Sequence, residues 1–204
     1  MPLHDLRQDP AQILSTEAFF VKPFVLDYNI PLGFSVTCEE KIVNTVNYLS
    51  IKNNINGRDF YFPWKHNYAA YVGVSNPRDG CIVMTAGMNG CALEVRYSDG
   101  RYYFYHDDGG RSMNTANNQF QTICRITENS YLNIRALEQG VKIHANTIYQ
   151  FICVYLNYSW HVGCMGFYYR GSLVASELEI VGKFIPQNGS YYGTFNNINH
   201  LIRL

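Results

Sequence analysis

The sequence predicts an α+β protein that is mainly β: a β-sandwich of mixed or antiparallel sheets flanked by helices. Three observations point that way. Among 204 residues stand 17 Tyr and 12 Phe, and aromatic side chains fit pleated, half-buried strands better than helices. From residue 60 onward, short apolar runs recur between clusters of Gly, Asn, Asp and Pro, the pattern of strands joined by turns. Only the stretch 39–53 repeats apolar residues clearly at helical spacing.

Taken in order, residues 1–15 read as a loosely tied arm on a single domain that spans 1–204, a length suited to one core. Residues 24–28 and 32–38 read as short strands split by Asn29, Pro31 and Gly33. A helix is expected over 39–53, where Ile42, Val43, Val46 and Leu49 follow a Glu pair, with Ile42, Val46 and Leu49 packed inward. Strands are expected at 60–62, 68–74, 81–85, 93–97, 102–106, 121–126, 147–157, 161–170 and 173–181. The run Asn76-Pro77-Arg78-Asp79-Gly80 is a turn, and Asp99-Gly100 closes a tight hairpin because both positions need positive φ. Residues 107–119 are polar and rich in Gly and Asn, an exposed loop. Asn157-Tyr158-Ser159 is a further hairpin turn.

Composition narrows the function. Hydrophobic residues make up 47% of the chain, too many for an intrinsically disordered segment. Lys and Arg, 16 in all, balance 16 Asp and Glu, so net charge draws the chain neither to nucleic acid nor to an anionic membrane. No segment approaches the roughly 20 apolar residues of a membrane span. The N-terminus lacks the basic-then-apolar order of a secretory signal, so export or delivery would need another route, and otherwise the chain is cytoplasmic. Cys38, Cys81, Cys91, Cys124, Cys153 and Cys164 show neither CxxC nor CxxxC spacing. They read as free thiols, and no metal or other cofactor is expected. A monomer is expected.

The informative window runs from Cys81 to Gly110. A strand ends at Thr85, the small residues Ala86-Gly87-Met88-Asn89-Gly90 follow, and Cys91 opens the next strand. Glycines beside a cysteine let backbone N–H groups approach a bound oxyanion. Cys91 lies eight residues before Asp99 and His106 seven after it, so the hairpin is expected to set them side by side as a thiolate–imidazolium pair. Thr85, six residues before Cys91, can reach back past the Gly loop to orient the imidazole. Asn89, Gly90 and Ala92 are the candidate oxyanion donors or orienting residues.

This window resembles the catalytic domain of the cytotoxic necrotizing factors and the related Burkholderia lethal factor, bacterial toxins that deamidate glutamine in host proteins. Their shared signature is Leu-Ser-Gly-Cys, then strand, turn, strand and His. Here it reads Met88-Asn89-Gly90-Cys91, then Ala92-Leu93-Glu94-Val95, then Tyr103-Phe104-Tyr105-His106. The Cys-to-His spacing resembles the necrotizing factors; the Thr six residues ahead resembles the lethal factor and the bacterial chemoreceptor glutamine deamidases. Asn89 stands where the family has Ser. The resemblance covers about 25 residues. It implies a toxin or effector in which Cys91, His106 and Thr85 convert a glutamine to glutamate. The host protein would be the initiation factor 4A helicase or a Rho-type GTPase, and a transglutaminase side reaction is possible at the same thioester.

The remaining residues invite plainer readings. His66, His144 and His161 lack metal-ligand spacing and read as structural; Asp107 and Asp108 read as solvated loop acids. The pairs Tyr102-Tyr103, Tyr168-Tyr169 and Tyr191-Tyr192 read as alternating sheet faces. The alternative to the enzyme is a non-enzymatic, Tyr-rich β-sandwich that binds carbohydrate or protein, with Cys91 a packed residue. A papain-like protease fits poorly, because there the Cys starts a helix and the His lies far downstream.

Overall fold

The computed structural model describes residues 2–22, 32–43, 46–113, 120–132, 146–171 and 178–201. Thirteen strands among these fall into two sheets. One is mixed and carries β1 (Phe19–Val21), β2 (Phe34–Val43), β3 (Val46–Asn53), β4 (Asp59–Phe62), β6 (Ile82–Thr85), β10 (Asn146–Leu156), β11 (Ser159–Arg170), β12 (Glu179–Phe184) and β13 (Tyr191–Phe195). The other is antiparallel, in the order β5 (Ala69–Ser75), β8 (Arg101–Asp107), β7 (Ala92–Ser98), β9 (Gln121–Ile126). The fold is α+β and mainly β, as the sequence predicts. No helix among the described residues is long and apolar enough to cross a membrane.

The centre of the large sheet explains the layering. In β10 every residue from Thr147 to Val154 is buried, the near-continuous run of a strand covered on both faces. Tyr149, Phe151 and Cys153 face the small sheet, in a core shared with Val95, Phe104 and Ile126. Ile152 and Val154 face the opposite way, into a second core with Leu3, Leu6 and Leu14. Trp160 anchors the intersheet core, edge-on to Phe104 at 4.8 Å between ring centroids; truncating such a side chain to Ala typically costs about 3–5 kcal/mol.

Two expectations are corrected here. Residues 39–53 are not a helix but the paired strands β2 and β3, in register from Val36↔Asn53 to Val43↔Val46. Val46, Leu49 and Ile51 are buried, whereas Ile42 is 59% exposed. The β-branched residues favour strands, and an apolar spacing of four satisfies both periods. The stretch 1–15 is not a loose arm: it forms α1 (Pro2–Gln8) and α2 (Pro10–Thr16), packed through Leu3, Leu6 and Leu14. Pro10 at a helix start and the Asp9 side chain, accepting from Gln12 N–H, build the second helix. Arg7 grips buried Asp59 with both guanidinium nitrogens at 2.7 Å and also donates to the Gly80 carbonyl. The expected strand at 24–28, most of that at 173–181, and His144 lie outside the described residues.

The Asp99-Gly100 hairpin forms as expected, with φ of 50° and 77°. Its register differs from the expected one. Ser98 pairs with Arg101 and Ala92 with Asp107, so the residue opposite Cys91 is Asp108, and His106 pairs with Leu93. Cys91 and His106 are therefore diagonal neighbours on one face, not directly opposed.

Candidate active site

Side-chain alternation assembles the site. On β7, Leu93 and Val95 face the large sheet, and so does Cys91 just before the strand. On β8, Tyr102 and Phe104 face the same way, which places His106 on that inner face too. On β6, Val83 faces the small sheet, and Thr85 shares its side. Thr85 and His106 thus meet between the sheets, with Thr85 Oγ1 2.8 Å from His106 Nδ1. Both are buried. The Thr85 carbonyl accepts from Gln150 Nε2 at 2.7 Å.

The Gly loop is pinned rather than loose. Met88 and Tyr149 exchange backbone hydrogen bonds of 2.6 and 2.8 Å. At Gly87 a Cβ would sit 2.3 Å from Ile148 Cδ1, so a larger residue there would make the Ile148 side chain shift. Gly90 has a φ of 79°, in the region that favours glycine. Asn89 turns its side-chain amide to the Thr147 carbonyl at 3.3 Å, and Ala92 is paired with Asp107. The Cys91 carbonyl accepts from the buried Tyr131 hydroxyl at 2.7 Å.

Around the sulfur the arrangement departs from a simple Cys–His pair. Cys91 Sγ lies 3.6 Å from Asp108 Oδ1 and 3.9 Å from the Asn89 carbonyl. His106 Nε2 is buried without a hydrogen-bond partner among the described residues, a state that ordinarily costs about 1–3 kcal/mol. Burial pushes the Cys91 thiol up to about 11; the Gly109 backbone opposes this and the negative charge of Asp108 adds to it. Burial pushes the His106 imidazole down to about 3. At neutral pH both groups are uncharged in this arrangement. The other five thiols are pushed higher still, mainly by burial, so Cys91 is the most readily ionised of the six.

Asp108, Trp64 and Tyr131 complete the surroundings, and sequence reading passed them over as functional residues. Doubling the Asp99-Gly100 turn centre and subtracting 91 would have pointed to Asp108. Asp107 lies on the other face, accepting from Ser112 N–H at 2.6 Å and lying 3.3 Å from Arg125. His66 is a neighbour of Asp108 at 3.2 Å, and His161 bonds the Tyr191 hydroxyl at 2.9 Å.

Together the fold and site define a mainly β protein in which Thr85 and His106 join the two sheets and Cys91 stands at the rim. No family model and no curated protein matches the chain. Among solved structures it is similar to the C-terminal domain of CNFy from Yersinia pseudotuberculosis, at 9% identity and a TM-score of 0.34, over 74% of this chain and 70% of that one. A likeness this slight does not bear on activity.

Proposed function

We propose that the chain is a thiol-dependent protein-glutamine deamidase, a toxin or effector that converts a glutamine of a host protein to glutamate. The observation that carries this is the Thr85–His106 contact at 2.8 Å between the sheets. It fixes one imidazole nitrogen and leaves Nε2 free, on the face that Cys91 shares. In the tautomer with Nδ1–H donating to Thr85, Nε2 presents a lone pair to a thiol proton. That proton passes from Cys91 Sγ to Nε2, and charge pairing out of water offsets the cost of ionising both groups. The thiolate attacks the carboxamide carbon, with the Asn89–Ala92 segment at the developing oxyanion. His106 returns the proton to the departing ammonia, and water hydrolyses the thioester.

The resemblance at 88–91 points to the initiation factor 4A helicase or a Rho-type GTPase as substrate, and the Cys-to-His spacing leans toward the second. The test is incubation of the chain with each protein, with ammonia release and site-resolved mass spectrometry as readouts. One glutamine in one of them is expected to become glutamate with the native chain and to stay intact with Cys91→Ser. A specific observation favours the binding-module alternative: Tyr71, Tyr103, Tyr105 and Phe120 form an aromatic layer on the small sheet, with Tyr103 stacked on Phe120 at 4.9 Å. Under that alternative both substrates remain unmodified.

A further inference from the structure

The sequence places Asp108 in an exposed loop, yet its side chain is only 17% exposed. Its carboxylate gathers four contacts. Oδ1 accepts from Trp64 Nε1 at 2.9 Å and lies 3.6 Å from Cys91 Sγ. Oδ2 accepts from Asn67 N–H at 2.7 Å and lies 3.2 Å from His66 Nδ1. Although burial works against its charge, the donors from Trp64, Asn67 and Cys91, with the nearby His66, hold its carboxyl below the usual range. An ionised carboxylate so supplied with donors is a poor base, but it is a good acceptor for an S–H. It also disfavours a thiolate beside it. Meanwhile His106 Nε2, the better-suited base, stands buried and unpartnered.

We propose that Asp108 is a positioning residue: its carboxylate parks the Cys91 thiol in protonated form, and the productive contact forms when Sγ turns from Asp108 Oδ1 to His106 Nε2. This rests on the deamidase function proposed above. On turning, the S–H bond breaks, its electron pair stays on sulfur, and the proton bonds to the Nε2 lone pair. Asp108 keeps its contacts to Trp64, Asn67 and His66 and takes no proton. The parked state keeps the nucleophile uncharged between turnovers, which limits adventitious oxidation and alkylation.

Among the described residues, the titratable groups facing this exchange are few. Asp108 and His106 come from the hairpin and its end, and His66 lies behind the carboxylate on the facing turn. From α3 (Glu128–Tyr131), Tyr131 bonds the Cys91 carbonyl, and Glu128 lies beside Gly90. The test is the pH profile of Cys91 alkylation by iodoacetamide on the full chain, read by peptide mass spectrometry. Asp108→Asn is expected to move the midpoint down by about one pH unit and to speed alkylation at neutral pH about tenfold. His106→Ala in that background is expected to remove the gain. Trp64→Phe takes a donor from the carboxylate, strengthens its hold on the thiol and moves the midpoint up; it serves if Asp108→Asn does not fold. A midpoint unmoved or raised in Asp108→Asn, or unmoved or lowered in Trp64→Phe, overturns the parking role. Because alkylation is read without substrate, that failure is distinct from deamidation surviving in Cys91→Ser, which would overturn the enzymatic function and leave the thiol's parking intact.

Discussion

The two partners of the site occupy unlike surroundings. His106 is enclosed in the sandwich: β8 supplies it, β5 and β7 flank it, and Thr85 reaches it from the other sheet. Cys91 lies just outside β7, at the rim, where the Gly loop, Asp108 and the turn bearing Trp64 and Asn67 converge. The imidazole is placed by sheet packing, which fixes it many times over. The sulfur is placed by long, weak contacts to Asp108 Oδ1 and the Asn89 carbonyl and by one rotatable bond. The difference is between an imidazole fixed from both sheets and a thiol held at their edge; under the function proposed above, the first would serve as the base and the second as the nucleophile.

The comparison breaks most severely at His106. Its replacement by Ala is expected to lower the deamidation rate about 10³-fold or more, in the upper range of general acid–base catalysis. Adding Cys91→Ser should make matters scarcely worse, since the two residues act as a unit; rates of the single and double variants check this. The enclosed imidazole should also govern acid stability. Its folded pKa, about 3, lies below the ordinary value of 6.5, so the unfolded chain binds a proton that the folded chain refuses. Stability is expected to fall as pH drops from about 6.5 toward 3, by up to about 1.4 kcal/mol per pH unit from this group. Denaturant titrations of native and His106→Gln chains at several pH values should show that slope in the first and a shallower one in the second.

Smaller effects sharpen the contrast. Thr85→Val leaves Nδ1 buried without a partner and is expected to cost about 1–3 kcal/mol in a urea titration, with a drop in turnover from the misplaced ring. Asn89→Ala touches only the rim. Its side chain is exposed and bonds the Thr147 carbonyl at 3.3 Å, so a loss of about 0.5–1.5 kcal/mol is expected, measured the same way. If kcat instead falls 100-fold or more, a loss of the size reported for oxyanion donors, with KM unchanged, the amide is an oxyanion donor and its resting bond is broken during turnover.

Much of the small sheet was legible from residue types. Asp99-Gly100 demands the hairpin, and alternation along Tyr102–His106 gives the inner face. The Thr85–His106 contact was expected from the six-residue spacing of Thr85 to Cys91 and a return past the Gly loop; the structure forms it, but from one sheet to the other. The β2–β3 pair was not legible, since Ile42, Val46 and Leu49 fit a helix face as well as two strands. Nor were α1 and α2, whose seven residues each are too short for a periodic signal and depend on docking of Leu6 and Leu14. Asp108 was misjudged because polar, Gly-rich sequence reads as solvent-exposed; its burial comes from Trp64 and Asn67, some 40 residues earlier in the chain.

The most direct test of the central claim is site-resolved mass spectrometry of the initiation factor 4A helicase and of a Rho-type GTPase, each incubated with the native chain and with folded Cys91→Ser. The account predicts conversion of one glutamine to glutamate by the native chain and none by the variant. Equal conversion by both chains, or none by either, would contradict it.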